Sequence, residues 1–309
     1  MDLSDFTTAD GTRLRVGSWP APAGRPARGT ALLLNGRSEF VEKHAASAEA
    51  LVERGFAVHS LDWRGQGSSD RPLPQRQRGH VEDFGVLATD LQALVEARGL
   101  AGEAARPLIV LAHSMGGHVA LRWLAGWPGQ AAAAVLVSPM VLVSVPGLAH
   151  APEATVAPMR AFARLAVRRG RGRHYALGQG DYEPGTWRFA GNRLTGDPAR
   201  FEVHREAFDT REDLRLGGVT WSWLDAAFRS SRLILDREQA RRITLPVLIA
   251  SAGREVLVST RAQRRLASIL PDARLIEYPD AFHEILMERE AIRSAFWSDF
   301  DTFLAEHGI

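Results

Sequence analysis

The stretch VLAHSMGGH, residues 110–118, ends an apolar run in a serine and follows it at once with two glycines. A serine held on a sharp strand-to-helix turn projects its hydroxyl for attack on an acyl carbon, giving a covalent acyl-enzyme. Such a turn packs tightly, so the residues around the nucleophile must be small. Gly116 and Gly117 meet that demand after Ser114, and Ala112 nearly meets it at the position where G-x-S-x-G has its first glycine. A helix N-cap is the plainer role for such a serine. The glycine pair and the buried strand before it favour the nucleophile.

A serine nucleophile needs a base to take its proton and an acid to orient that base. The strand–serine–helix turn resembles that of the α/β-hydrolases, and the resemblance implies that both come from loops after later strands, in the order serine, acid, histidine. Glu255 follows the apolar run PVLIASAG, and His283 follows ARLIEYPDAF. His283 is therefore the expected base and Glu255 its partner. Asp280 competes as the acid, but three residues from His283 it is poorly placed to reach the ring. His113 and His118 flank the serine and His307 lies in the last helix, with no acid upstream in the required order. Two backbone donors should face the developing oxyanion. The N–H of Met115, directly after the serine, is one. The N–H of Arg37, in the NGRSE loop after an early strand, is the other, with Gly36 supplying the turn.

The elements that must position these groups follow from periodicity. Runs at 31–36, 56–63, 108–114, 133–139, 246–252 and 273–279 read as strands, most of them apolar without alternation, as strands covered on both faces are. Helical patterns lie between them at 41–54, 82–98, 115–126, 259–269 and 287–306. This alternation predicts an α/β fold, a mostly parallel sheet flanked by helices. GTRLRVG near the N-terminus reads as an antiparallel edge strand. The alternation stops after Pro139 and resumes near Leu245. The expected organisation is a core of residues 1–140 and 241–309 with an inserted helical cap, 141–240.

Five motifs in order, NGRSEFVEKH, LDWRGQGSSDR, QRGHVEDF, AHSMGG and YPDAFHEILMERE, resemble the lysophospholipase and monoacylglycerol lipase branch of the α/β-hydrolases. The resemblance covers nearly all the core. It implies an α/β-hydrolase fold and ester hydrolysis on a lysophospholipid or monoacylglycerol, with Ser114, Glu255 and His283 as triad and Arg37 and Met115 as oxyanion donors. The chain departs from the branch at Asn35, where histidine is common, at Ala112, and at Glu255, where aspartate is commoner. Asp62 and Arg64 are expected to fix a loop. A general carboxylesterase or aminopeptidase on the same scaffold stays open, because fold does not fix substrate. A catalytically silent lipid- or membrane-binding module would call for a missing triad member. An epoxide hydrolase or dehalogenase would need aspartate at 114.

In the cap, Trp221, Trp223 and Phe228 suit either an acyl pocket or packing between cap and core. Residues 157–174 carry Arg160, Arg164 and Arg168 at helical spacing, opposite Met159, Phe162 and Ala166. That stripe reads as a solvated face or as peripheral contact with anionic lipid.

Composition bounds the rest. The chain has 309 residues, 45% apolar and 24% charged, the balance of a soluble globular protein. It has no cysteine, which removes disulfides, thiol catalysis and Cys-ligated zinc and suits a cytoplasmic protein. The acidic, polar N-terminus does not read as a secretory signal. A net charge of +2, with no basic run interleaved with aromatics, argues against a nucleic-acid partner. Neither cofactor nor metal is expected. Lys43 is the single lysine among 38 basic residues.

Overall fold

The computed structural model describes residues 1–24, 26–102, 107–144 and 149–309. Within them one eight-stranded sheet runs in the order β1-β2-β4-β3-β5-β6-β7-β8. The strands are β1 (Asp2–Thr7), β2 (Arg13–Trp19), β3 (Gly29–Leu34), β4 (Phe56–Leu61), β5 (Leu108–His113), β6 (Ala133–Val137), β7 (Val247–Ala252) and β8 (Ala273–Tyr278). From β4 to β8 every neighbouring pair is parallel, and only β1 with β2 and β2 with β4 run antiparallel.

The uniform apolarity of the central strands has its cause in this packing. β5, β6 and β7 are buried at every position. Alternate residues feed two cores, as the two-residue period of a strand requires. Leu32, Leu34, Val110 and Ala112 join the core on one face, while Ala31, Leu33, Ile109 and Leu111 join that on the other. Each such leucine, fully buried, contributes about 1.5–3 kcal/mol.

The helices beside the sheet are α1 (Ala45–Glu53), α2 (Phe84–Ala97), α3 (Met115–Gly126), α8 (Thr260–Ile269) and α9 (Glu290–Glu306). Between β6 and β7 lie α4 (Ala157–Arg168), α5 (Pro198–Thr210), α6 (Trp221–Ile234) and the short α7 (Arg237–Ala240). The described part of this insertion contains no strand, only single bridges such as Gly79 with Val219 and Tyr175 with Thr220. Phe40, Tyr182, Phe208, Leu214 and Leu216 form a smaller core that fastens the insertion to the loop after β3.

Two expectations need correcting. GTRLRVG is not the sheet edge: β2 lies inside, and β1 covers it. The sequence of β1, DLSDFT, is almost wholly exposed, so it carries no apolar signal. The basic helix ends at Arg168, before Gly170 in the left-handed region at φ 73°. Its buried face is Ala163 and Ala166. Phe162 is not part of that face; it is 55% exposed and rests on Trp221, ring centroids 5.1 Å apart.

Candidate active site

Four loops at the carboxyl ends of parallel strands meet on one rim. They follow β3, β5, β7 and β8. The chain order reverses about β3, with β4 on one side and β5 on the other. In open α/β sheets the crevice at such a switch point is where ligands bind.

Ser114 lies between β5 and α3 with φ 50° and ψ −113°, a strained conformation for a residue with a side chain. The surroundings hold it there. Its N–H donates to the Val137 carbonyl at 2.9 Å, and its own carbonyl accepts from the Met140 N–H at 2.9 Å. A Cβ at Gly116 would lie 2.4 Å from the Leu34 carbonyl oxygen, so only glycine lets α3 approach the end of β3 this closely. One at Gly117 would come within 2.9 Å of Pro139.

His283 Nε2 lies 2.8 Å from Ser114 Oγ, and its Nδ1 lies 2.6 Å from Glu255 Oε2. The other carboxylate oxygen of Glu255 accepts from the N–H groups of Val256 at 2.9 Å and Leu257 at 2.8 Å, so the acid is pinned before it touches the ring. All three side chains are buried. Burial pushes His283 down, but the Glu255 carboxylate, with help from Glu284 and Glu39, outweighs it and raises the imidazole above its ordinary value. Burial acts upward on Glu255, and His283 outweighs it, holding the carboxyl below the usual range. Each partner therefore favours the charged form of the other. Asp280 is exposed on the surface, outside this chain of hydrogen bonds.

On the opposite side of Ser114, the loop after β3 is fixed by side chains. Glu39 Oε2 accepts from the Gly36 N–H. Gln66 Oε1 accepts from the Ser38 N–H at 2.6 Å, while Gln66 Nε2 reaches Met115 Sδ at 3.6 Å. Among the described residues no protein acceptor pairs with the backbone N–H of Arg37 or of Met115, although the N–H groups flanking Arg37 are both taken. The Arg37 guanidinium turns to the insertion and donates to the Gly217 carbonyl. Asn35 also faces away from Ser114, donating to the Leu61 carbonyl at 3.1 Å. Asp62 accepts from Arg15, the Val41 N–H and the Ser68 N–H, and Arg64 pairs with Asp90 and Asp10. These two side chains tie loops together.

Trp223 and Phe228 are buried in the core shared by insertion and sheet layer, with Trp223 edge-on to Phe84 at 5.6 Å. Trp221 is half-buried against Phe162. Arg160, Arg164 and Arg168 line a groove of about 740 Å³ between α4 and α6, faced by Arg229 and Arg232.

Sequence reasoning missed a buried polar cluster beside Ser114 and His283, made of Glu39, Lys43, His44, His113 and Glu284. Its signal was the single lysine of an arginine-rich chain; Glu39 lies four residues before Lys43, but His113 and Glu284 lie too far off in sequence to be joined to them by spacing. Among the described residues only Glu39, His44 and His113 bring three potential ligand atoms within 4.8 Å of one another. The Glu39 carboxylate is already engaged by Lys43 and Gly36, so the trio forms a hydrogen-bonded network.

A family model described as serine aminopeptidase, S33, matches residues 25–290. Lysophospholipase L2 of Escherichia coli is 30% identical over 282 residues, 88% of this chain and 79% of that protein. A probable lysophospholipase L2 of Haemophilus influenzae is 28% identical over 276 residues, 88% of this chain and 82% of that protein. The crystal structure of a monoglyceride lipase variant from Saccharomyces cerevisiae superposes with a TM-score of 0.73 at 20% identity, covering 99% of this chain and 95% of that one. That likeness establishes the α/β fold with flanking helices.

Proposed function

The chain belongs to the S33 serine aminopeptidase family of α/β-hydrolases and is a serine ester hydrolase; from that premise we propose that it cleaves the acyl ester of a single-chain glycerolipid, a lysophospholipid or monoacylglycerol, with Ser114 as nucleophile. The observation that carries this reading is the unbroken hydrogen-bonded line from Ser114 Oγ through His283 to a pinned Glu255. Ser114 Oγ attacks the ester carbonyl as its proton passes to His283 Nε2, and Glu255 stabilises the imidazolium. The oxyanion takes the free N–H groups of Met115 and Arg37. His283 then gives its proton to the departing glycerol oxygen. A water molecule, deprotonated by the same nitrogen, releases the fatty acid and restores Ser114.

The substrate class is supported by relatives of nearly full length named lysophospholipase. The family description favours a second reading, aminoacyl amide hydrolysis by the same groups. In the proposed division of labour, residues 1–140 and 241–309 hold the chemistry and 141–240 form the cap. Phe162 and Leu165, exposed on α4 beside its arginines, suit peripheral contact with the anionic membrane where such a substrate is met.

The test is the ratio kcat/KM across lysophospholipids, monoacylglycerols, short p-nitrophenyl esters and aminoacyl anilides, with Ser114→Ala as the blank. Single-chain glycerolipids are expected to lead. Anilides leading would favour the second reading, and simple esters equalling the lipids would remove lipid selectivity.

A further inference from the structure

Lys43 sits in the 3-10 turn Val41–His44 after β3 and is 2% exposed. Its ammonium lies 2.7 Å from Glu39 Oε1 and 2.7 Å from Glu284 Oε1. Those carboxylates belong to different loops. Glu39 Oε2 accepts from the Gly36 N–H, one residue before the proposed oxyanion donor Arg37, and Glu284 directly follows His283. His113, directly before Ser114, links the two again, with Nδ1 3.1 Å from Glu39 Oε2 and Nε2 3.3 Å from the His283 carbonyl oxygen. His44 Nε2 completes the cluster, 2.9 Å from Glu39 Oε2.

A buried ion network contributes little net stability compared with a well-packed apolar core, because desolvation offsets its attraction. What it supplies is direction: each partner is costly to move once its neighbours are fixed. The compact ammonium, with donors that rotate, fits between two carboxylates where a planar guanidinium would force a wider gap. That accounts for a lysine here in a chain that otherwise uses arginine.

We propose that Glu39–Lys43–Glu284 is a positioning clamp that sets the distance between the oxyanion loop and the loop carrying His283, without touching substrate. The inference rests on the proposed roles of Ser114, His283 and Arg37. Lys43 thereby holds in register two loops that meet only at the rim, and loss of the clamp should slow the chemical step while leaving substrate affinity alone.

Glu284→Gln and Glu284→Asp separate its parts. Gln removes the charge, whereas Asp keeps the charge on a stem too short for the 2.7 Å contact to Lys43. Both variants should lower kcat roughly ten- to hundredfold on a short soluble ester with KM unchanged, the scale of a small misplacement of reacting groups. The pH profile distinguishes them. His283 must be neutral to act as base, so kcat/KM rises as pH passes its pKa. The groups acting on its ring are Glu255 after β7, Glu284 in its own loop, Glu39 after β3 and His113 at the end of β5, while Lys43 and His44 contact Glu39 and Lys43 also contacts Glu284. From the insertion, His204 of α5 adds to the same electrostatic environment. Loss of the Glu284 charge lowers the His283 pKa, so the acidic limb should move to lower pH in Gln and stay in place in Asp.

Wild-type hydrolysis abolished by Ser114→Ala holds the proposed roles fixed, and circular dichroism with active-site titration counts folded enzyme. Wild-type kcat in both titrated Glu284 variants would overturn the clamp, as would a loss of rate accounted for by unfolded protein. Continued hydrolysis by Ser114→Ala would instead overturn the proposed nucleophile.

Discussion

Two carboxylates near His283 differ entirely in what surrounds them. Glu255 is buried, accepts two short backbone hydrogen bonds on one oxygen and gives the other to the imidazole. Asp280 is exposed to solvent. Glu255→Gln should therefore lower kcat/KM at least ~10²-fold, because the imidazolium loses its charge partner. Asp280→Asn should leave it unchanged, and steady-state kinetics on one soluble ester compares them. The reverse order would assign the wrong acid. The three side chains were legible because each lies where a strand ends, and chain order supplies the pairing. The clamp was not legible, since Lys43 and Glu284 are 241 residues apart and nothing local announces their contact.

At the scale of elements, uninterrupted apolar runs announced the buried strands, and their observed ends fall within about two residues of the expected ones, the usual margin. The edge strand β1 was illegible for the opposite reason: an exposed strand paired on one side needs no apolar residue. In α4 the regular arginine spacing was legible, and of the apolar residues opposite it Met159 and Ala166 pack inward, while small alanines let the helix lie close against α6 and Phe162 stays outside. Arg160, Arg164 and Arg168 have no ion-pair partner among the described residues, and they share a groove with Arg232, also unpaired. Their change together to Gln should reduce co-sedimentation with anionic vesicles, most visibly at low salt where screening is weakest. Hydrolysis of a short soluble ester should persist. Equal vesicle binding by wild type and variant would leave these arginines a solvated face.

Across the whole molecule, the sheet order does the positioning. By reversing direction about β3 it sets the loop of Arg37 beside the turn of Ser114, while β7 and β8 continue outward and carry Glu255 and His283 to the same rim. The insertion leaves the sheet after β6 and packs back over that rim through the small core around Phe40 and Phe208. No helix of the described residues is long and apolar enough to cross a membrane. In the proposed mechanism this assembly makes Ser114 the group acylated by substrate. Peptide mapping after reaction with a fluorophosphonate, beside the turnover of Ser114→Ala, tests it most directly. One adduct is expected, on the peptide holding Ser114, with a fall in kcat of about 10⁴ to 10⁶ in the folded variant. An adduct elsewhere, or retention of roughly a tenth of the wild-type rate, would contradict it.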